Sequence, residues 1–421
     1  MSTRKKLIVV GGGASGFFCG VNAAQMNPML DVVILEKTNK LLSKVKVSGG
    51  GRCNVTHYSE AVSDMIEAYP RGKNFMKKSL YRFSSQDTQN WFLLRGVQLK
   101  VESDGRMFPE SDKSQSVIDC LMHEAEKYKV EIKLQTEVLQ IRKIADGFDL
   151  EVKYGGSEVE KIHADFICIA TGGHSKESGF EWLKQMGIDI EPPVPSLFTF
   201  NILDTKLHQL MGVASPDSML KIPKLKLQER GPVLITHWGL SGPAILKMSS
   251  RAAKELNELD YAFDVSLNWA PEFHESAMLE LIKTKRVEIS RQLVGNKNPF
   301  DIPGRLWNYL LEKSTIKPDT SWANIPSAAS NLLAKNICND VYSVKGKTTF
   351  KEEFVTAGGI KIEAIHPATL ESKSYPGLYF SGEVLNVDGI TGGYNFQHAW
   401  SSGWIVAKAI LDSLNTQSSI S

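Results

Sequence analysis

Three glycines near the start of the chain have the spacing of a pyrophosphate-binding turn. Gly11, Gly13 and Gly16 form a GxGxxG pattern directly after the apolar run 7–10. The first glycine permits a tight turn, the second lets the backbone approach a pyrophosphate, and the third lets a helix pack closely on a sheet. The phosphates would lie at a helix N-terminus, where unpaired N–H groups and the helix dipole favour an anion. The glycines therefore predict a dinucleotide site.

One acidic residue has the position that such a site requires. Glu36 ends a second apolar run, 32–35, about 20 residues after Gly16, where a carboxylate bonds a ribose hydroxyl. Its negative charge disfavours a 2′-phosphate. The sequence therefore predicts FAD or NAD rather than NADP.

Three later strings also suit a close approach of backbone to a ligand. The first, 48–56 (SGGGRCNVT), has consecutive glycines that favour neither helix nor strand. The second, 170–173 (ATGG), ends an apolar strand, at the edge where parallel sheets bind ligands. In the third, Glu383 follows a strand, and a helix begins after Gly392 and Gly393. That helix N-terminus could stabilise the negative charge on a reduced flavin ring, so the strings together indicate a flavin.

A parallel sheet and its connecting helices must hold these strings together. The run 7–10, a helix to about Met26 and the run 32–35 predict a βαβ unit. Residues 131–154 predict a β-rich crossover, residues 196 to about 269 a small barrel or sheet, and residues 272–340 mostly helices. Because the tail returns to strand and glycine motifs, we predict an α/β fold with an insertion. The predicted domains are a discontinuous Rossmann-like domain at 1–193 and 346–421, a β-barrel subdomain at 194–272 and a helical subdomain at 273–345.

Composition limits the possible classes of protein. Hydrophobic content of 42% and charged content of 23% are ordinary for a globular chain, and a net charge of +2 does not mark an obvious nucleic-acid binder. Five scattered cysteines without a CxxC pair argue against a disulfide framework and predict a cytoplasmic protein.

The basic start and uncharged stretch to residue 30 imitate a membrane anchor, but the glycines fit a nucleotide-binding unit better, so no membrane association is predicted. The nine histidines have no metal-ligand spacing, so no metal is predicted.

Taken together, the strings resemble those of a known family of flavoproteins. The strings SGGGRCNVT at 48–56, GRMFP at 105–109, THWGLSGP at 236–243 and the segment 376–403 are similar to the YhiN/BaiN-like family, over nearly the whole chain. The resemblance implies an FAD domain of the glutathione-reductase type, related to the flavin subunits of fumarate reductase. It also implies a barrel subdomain and a helical subdomain inserted in that domain.

The resemblance also implies which residues contact FAD. The glycine turn would hold the pyrophosphate, Glu36 the adenosine ribose, the backbone of Val138 the adenine, Glu383 the ribityl chain and 392–395 the pyrimidine edge. The full set of implied cofactor contacts is Gly11, Gly13, Ala14, Ser15, Gly16, Glu36, Lys37, Lys44, Gly51, Arg52, Asn54, Thr56, Val138, Ala170, Thr171, Gly172, Gly382, Glu383, Asp388, Gly392, Gly393, Tyr394 and Asn395.

Two positions depart from the family pattern. Leu42 and Ser43 stand before Lys44, where the family tends to have glycine and a basic residue. This puts in doubt a role for that loop in holding a substrate anion. His398 replaces an apolar residue, so it is either a titratable group near the flavin or a hydrogen-bonded core histidine.

Reduction of an activated C=C bond is the reaction that the resemblance favours. Hydride from the flavin reaches one carbon, and an acid protonates the other. Candidates for the acid are Cys53, His237 and Tyr394, with Arg52 as electrostatic support. Because the chain has no second GxGxxG, NAD(P)H would bind transiently at the flavin, or another reductant would serve.

Several functions remain open at this point. Activities implied by the family include reduction of uridine to dihydrouridine in ribosomal RNA and reduction of a steroid-type C=C bond. Basic stretches at 71–100, 221–230 and 283–291 suit RNA, whereas Phe198, Phe200 and Trp238 suit an apolar ring system. A non-catalytic flavin-binding redox sensor is a second class of function, and a hydroxylating monooxygenase is a third. The substrate, the oligomeric state and any covalent attachment of the flavin cannot be predicted.

Overall fold

The computed structural model describes residues 4–155, 158–349 and 355–418. Its strands are β1 (Lys6–Val10), β2 (Asp31–Leu35), β3 (Thr56–His57), β4 (Leu99–Val101), β5 (Arg106–Pro109), β6 (Glu131–Lys133), β7 (Thr136–Ile144), β8 (Gly147–Tyr154), β9 (Glu158–Ala164), β10 (Phe166–Ile169), β11 (Ile190–Pro195), β12 (Thr199–Ile202), β13 (Ala214–Ile222), β14 (Leu227–Thr236), β15 (Gly239–Ser241), β16 (Ala262–Asn268), β17 (Asp340–Thr348), β18 (Thr356–Ile360) and β19 (Leu378–Phe380). Its α-helices are α1 (Ala14–Met26), α2 (Ser43–Gly51), α3 (Val62–Ile66), α4 (Lys73–Leu80), α5 (Ser85–Leu93), α6 (Ser114–Lys127), α7 (Glu181–Gln185), α8 (Thr205–His208), α9 (Pro243–Arg251), α10 (Ala253–Glu258), α11 (Glu275–Glu288), α12 (Gly304–Lys313), α13 (Ser327–Cys338) and α14 (Tyr394–Ser418).

The chain divides into two compact units. The first unit comprises Met1–Ser196 with Phe350–Ser421, and the second comprises Leu197–Thr349. Among the described residues, each unit has a hydrophobic core built from its own side chains. None of the described helices is both long and apolar enough to cross a membrane.

A five-stranded parallel sheet forms the framework of the first unit, in the order β19-β10-β1-β2-β6. Val9 of β1 is paired with Ile34 of β2 on one side and with Cys168 of β10 on the other. The last four residues of β1 and of β2 are buried, which is why both strands are continuous apolar runs. The carboxyl ends of these parallel strands meet at one edge of the sheet. The glycine turn directly follows β1, the 170–173 string directly follows β10, and Gly382 comes two residues after β19.

Two long helices of the first unit, α1 and α14, pack with their backbones in contact. A Cβ atom on Gly403 of α14 would lie 2.8 Å from the carbonyl oxygen of Ser15 and 3.0 Å from the nitrogen of Cys19. Only glycine permits this approach. Helix α1 ends at Met26, as the sequence predicts.

Three smaller antiparallel sheets complete the first unit. The predicted crossover is the sheet β7-β8-β9, and the short sheet β3-β5-β4 follows the 48–56 string. The proline-rich segment 191–195 lies in β11, which pairs with β18, so the point where the chain leaves the first unit lies beside the point where it returns.

The second unit is a closed barrel with the strand order β12-β15-β14-β13-β16-β17. Helices α11, α12 and α13 come between β16 and β17 in the sequence. The last strand, Asp340–Thr348, lies across the predicted limit between the helical subdomain and the returning FAD domain. The helices are therefore inserted between two strands of the barrel and do not form a segment that follows it. The predicted α/β class with a Rossmann-type sheet, a barrel and inserted helices is confirmed, whereas the exact domain limits remain a prediction.

Candidate active site

The predicted pyrophosphate turn connects β1 to α1, and its glycines serve two different purposes. A Cβ atom on Gly11, whose φ is +117°, would lie 2.4 Å from the carbonyl oxygen of Ala170, and one on Gly16 would lie 2.0 Å from the carbonyl oxygen of Gly11. These two glycines permit close packing. A Cβ atom on Gly13 would meet nothing within 4 Å, so the backbone there is open to a ligand. The first N–H groups of α1 have no acceptor within the helix, so they can donate to an anion bound there.

Glu36 lies beside this turn. Its Oε2 atom accepts a hydrogen bond from the nitrogen of Gly12 at 2.9 Å, and its Oε1 atom accepts from the nitrogen and hydroxyl of Thr38 at 2.9 and 2.8 Å. A carboxylate offers about four lone-pair positions. Glu36 is thus fixed in orientation and can still accept from ribose hydroxyls.

Two buried threonine hydroxyls are left without partners at the edge of the parallel sheet. The Oγ1 atoms of Thr171 and Thr356 have no hydrogen-bond partner among the described residues. Buried polar atoms are nearly always bonded, so these two oxygens call for a polar ligand. Gly172, with φ +75°, has open space where a Cβ atom would stand. These features fit FAD, which would lie across the glycine turn and this edge.

Glu383 is held by two neighbours at the same edge. Its Oε1 atom accepts from the nitrogen of Thr356 at 3.0 Å, and its Oε2 atom accepts from Nζ of Lys44 at 2.5 Å. Burial lowers the pKa of His174, and the positive charges of Lys37 and Lys44 lower it further, whereas the charge of Glu383 opposes that shift. Sequence analysis missed His174, although it directly follows the ATGG string.

The 48–56 string forms a strained loop rather than the end of a helix. Helix α2 loses helical geometry at Ser48, and Gly49, Gly50 and Gly51 have φ of +57°, +67° and +85°. Cys53 also has a positive φ of +63° and is fully buried. Burial raises the pKa of its thiol to about 12. A thiol enclosed in this way favours a structural role for Cys53 over the predicted role as acid.

Two side chains that follow the glycines of the 48–56 string form hydrogen bonds with other side chains of the protein. Arg52 donates to Glu102 at 2.6 Å and lies over the ring of Phe108, 3.9 Å from its centre. Thr56 is fully buried and donates to Gln397 at 2.6 Å. The hydroxyl of Thr56 therefore does not face a flavin, and only its backbone remains as a predicted contact.

A glycine turn before α14 packs against strand β3. A Cβ atom on Gly393 would lie 2.5 Å from the carbonyl oxygen of Thr56 and 2.8 Å from Oδ1 of Asn54. Asn395 closes the turn, because its side-chain amide bonds both the nitrogen and the carbonyl oxygen of Gly389, at 2.8 and 2.9 Å. The structure thus brings together the 48–56 string and the 392–395 string.

Asp388 has a structural task beside this turn. Its carboxylate is fully buried and accepts two hydrogen bonds from Arg71 at 2.5 Å and one from the hydroxyl of Ser196 at 2.5 Å. Burial raises the pKa of Asp388, while Arg71 opposes that rise. Because both oxygens are used, the side chain of Asp388 is not free to hold a cofactor.

Tyr394 and His57 form a stacked pair at the start of α14. Their ring centres are 4.6 Å apart, and Nδ1 of His57 lies 3.0 Å from the carbonyl oxygen of Gly392. Both rings line a cavity of about 290 Å³ that also includes Glu60 and Asp64. The phenol hydroxyl of Tyr394 has no hydrogen-bond partner among the residues that the structure describes, and burial raises its pKa to about 12. Sequence analysis did not predict His57.

Two further predicted residues belong to other elements of the fold. His237 is exposed on the turn between β14 and β15 of the second unit, where its ring meets that of Trp238 at 4.3 Å. Val138 is half-buried in β7 and is paired with Val152. Their roles remain predictions. Among the described residues, no group of three or more His, Cys, Asp or Glu side chains could hold a metal ion.

Comparison with known proteins gives a consistent result. Residues 5–409 match the family described as HI0933-like protein Rossmann domain. The chain is 30% identical to the ribosomal RNA dihydrouridine synthase of Escherichia coli, covering 96% of this chain and 97% of that protein. It is 27% identical to the 3-dehydro-bile acid delta(4,6)-reductase of Clostridium scindens, covering 95% and 98%.

A solved structure shows the same fold at low identity. The 3-ketosteroid-delta4-(5alpha)-dehydrogenase of Rhodococcus jostii matches with a TM-score of 0.52 and 12% identity, covering 96% of this chain and 97% of that one. The predicted cofactor is confirmed as FAD, and the prediction of a flavoenzyme is confirmed as well. The protein belongs to the HI0933-like family and is an FAD-dependent oxidoreductase.

Proposed function

We propose that the protein reduces the C=C bond of uridine in ribosomal RNA, giving dihydrouridine, with NAD(P)H as a transient electron donor. The relative from Escherichia coli, which is named for this reaction, supports the substrate. The observation that carries the chemistry is the unpartnered phenol of Tyr394 in a cavity beside the 392–395 turn. A cytoplasmic location is part of the proposal.

The residues of the chain would supply binding and a proton. When bound and reduced by NAD(P)H, the flavin would provide the hydride for one carbon of the double bond. Tyr394 would protonate the other carbon, because a phenol with a pKa of about 12 keeps its proton at neutral pH until a stronger base forms beside it. Stacking on His57 holds the phenol ring in one orientation.

The lining of the cavity favours uridine over an apolar ring. Glu60 and Asp64 place carboxylate acceptors on its wall. The N3–H group and the ribose hydroxyls of uridine can donate to these acceptors, whereas an apolar ring offers them no hydrogen-bond donor. The relative from Clostridium scindens keeps a steroid-like substrate as the second candidate.

Ribosomal RNA from cells with and without the gene tests the substrate. We expect nucleoside mass spectrometry to find less dihydrouridine in the deletion cells, and complementation with the wild-type gene to restore it. Unchanged dihydrouridine would contradict the RNA proposal, and a 3-oxo-Δ4 steroid would then be assayed with the purified protein. Anaerobic mixing with NADH or NADPH tests the sensor alternative, since a flavin that no donor bleaches would contradict the reductase.

A further inference from the structure

A cleft in the second unit lies outside the redox site described above. Its volume is about 600 Å³, within the range of sites that hold a small molecule or a nucleotide. Eight of its eleven lining residues are polar or charged, and they include Lys206, Gln209, Arg305, Asn308, Tyr309 and Lys317.

The two walls of the cleft are tied together by side chains on one face of α12. One wall is the segment 204–211, and the other is α12 with the turn that follows it. Residues 305, 309 and 312 lie on the same face of a helix because they are four and three positions apart. Arg305 donates hydrogen bonds to the carbonyl oxygens of Gln209 at 2.5 Å and Met211 at 3.2 Å. The hydroxyl of Tyr309 donates to Asp204 at 3.2 Å, and Lys206 forms an ion pair with Glu312 at 2.7 Å. These links give the cleft a fixed shape.

Cations outnumber acids in the cleft. Lys206, Arg305 and Lys317 face it with one carboxylate, Glu312. The side chain of Lys317 has no ion-pair or hydrogen-bond partner among the described residues, and Lys206 pairs with Glu312 while both side chains stay about two-thirds exposed. An exposed pair of this kind is weak, so a phosphate could compete for Lys206. The cleft therefore suits an anion.

The charge of the second unit points to a polyanion. Residues 197–349 contain 19 Lys and Arg against 15 Asp and Glu, a formal charge of +4, although the whole chain carries only +2. The remainder of the chain is therefore net acidic. A basic unit of this kind attracts the phosphate backbone of a nucleic acid and would orient it before any base is read.

We propose that this cleft binds a phosphodiester of the RNA substrate together with its nucleotide. The phosphate lies between Lys317, Arg305 and Lys206, and the amides of Asn308 and Gln209 bond the ribose or the base edge. The identity of the polyanion as RNA rests on the function proposed above. A free dinucleotide such as NADPH offers the same phosphate chemistry and is the competing source.

A pair of double variants of the full-length protein tests the cleft. Lys206→Ala with Lys317→Ala removes two cleft cations, and Lys297→Ala with Lys335→Ala removes two exposed lysines of the same unit that do not line the cleft. The probe is a fluorescein-labelled, uridine-rich RNA of 20 nucleotides, followed by anisotropy across a salt series. Each lost phosphate contact should weaken binding about five- to eightfold at 0.1 M salt and reduce the slope of log K against log salt by about one. The cleft variant should therefore lose about 25-fold or more, and the control much less.

Three further results would separate the possibilities. Equal RNA binding by the cleft variant and the control would overturn the inference. A raised NADPH requirement for flavin reduction in the cleft variant, with RNA binding unchanged, would also overturn it and assign the cleft to the donor. The proposed function is measured independently through dihydrouridine in ribosomal RNA of complemented deletion cells. If the wild-type gene restored none, that function would fail, whereas a selective loss of RNA binding in the cleft variant would still support the cleft as an RNA site.

Discussion

The hydroxyl of Tyr394 can be tested apart from everything that holds its ring. Tyr394→Phe keeps the stack on His57, whose ring centre lies 4.6 Å away, and removes only the proton. We expect reoxidation of the reduced flavin by substrate to slow by about 100-fold or more, since general acids contribute about 10²–10⁴. Reduction by NADPH should be unchanged, because it needs no proton from Tyr394. Stopped-flow absorbance separates the two half-reactions.

Tyr69 offers a matched control for that variant. Its ring centre lies 5.9 Å from that of Tyr394, and its hydroxyl donates to the carbonyl oxygen of Tyr394 at 2.8 Å. Tyr69→Phe should affect stability and leave reoxidation close to the wild-type rate. Normal reoxidation in Tyr394→Phe would show that the proton comes from another group, and His237 would then be the next variant.

His398 makes the stability of the first unit depend on pH. Its Nε2 atom donates to the carbonyl oxygen of Gly382 at 3.0 Å, its Nδ1 atom has no partner among the described residues, and burial lowers its pKa to about 4. An unfolded imidazole has a pKa of about 6.5, so below that value the unfolded chain binds more protons than the folded one. The stability contributed by neutral His398 is present above about pH 6.5 and is lost as the pH falls towards 4. Between pH 7 and 5 the loss should be about 2 kcal/mol.

A glutamine variant isolates this effect from that of the carboxylates. His398→Gln retains a donor for Gly382 and cannot be protonated. We expect the free energy of unfolding of wild type, followed by flavin fluorescence in urea, to fall more than that of the variant between pH 7 and 5. If the two proteins lost stability equally, His398 would not be a buried neutral imidazole.

At the scale of elements, the contact between α1 and α14 depends on one glycine. A Cβ atom on Gly403 would lie 2.8 Å from the carbonyl oxygen of Ser15, which is backbone and cannot rotate away. Gly403→Ala should therefore push the helices apart and cost about 1–3 kcal/mol, the usual range for an overpacked core. Gly304→Ala is the control, because a Cβ atom there meets nothing within 4 Å. Thermal unfolding of both variants measures the difference, and equal midpoints would contradict the close contact.

Local patterns predicted the elements that bind phosphate, and distant contacts account for what the sequence did not predict. The glycine turn and Glu36 lie within one βαβ unit, so spacing alone identified them. His57 has no local signal, because its partner Gly392 lies 335 residues away. The hydrogen bond from Thr56 to Gln397 joins residues 341 positions apart, so the local sequence does not predict it either. The predicted helical subdomain includes most of β17, because three helices precede this strand in the sequence. The position of β17 in the barrel is fixed by its pairing with β12 and β16, which lie far from it in the sequence.

At the scale of the whole molecule, the first unit should fold without the second. Ser196 donates from its nitrogen to the carbonyl oxygen of Val355 at 2.8 Å, and Pro195 pairs with Thr356, so the chain leaves and re-enters the first unit at adjacent points. Each unit has its own core among the described residues. A short Gly-Ser linker in place of 197–349 can therefore close the gap without strain.

We expect the shortened protein to purify with bound FAD and to lose reductase activity on RNA, because His237 and the cationic cleft are removed with the second unit. Absorbance at 450 nm and release of FAD by heat measure the first expectation, and dihydrouridine formation measures the second. The full-length chain with the same linker inserted after residue 349 controls for the linker itself. A shortened chain that has native-like circular dichroism but takes up no FAD would show that the cofactor site needs residues of the second unit. The prediction of a discontinuous FAD domain that binds the cofactor by itself would then be wrong.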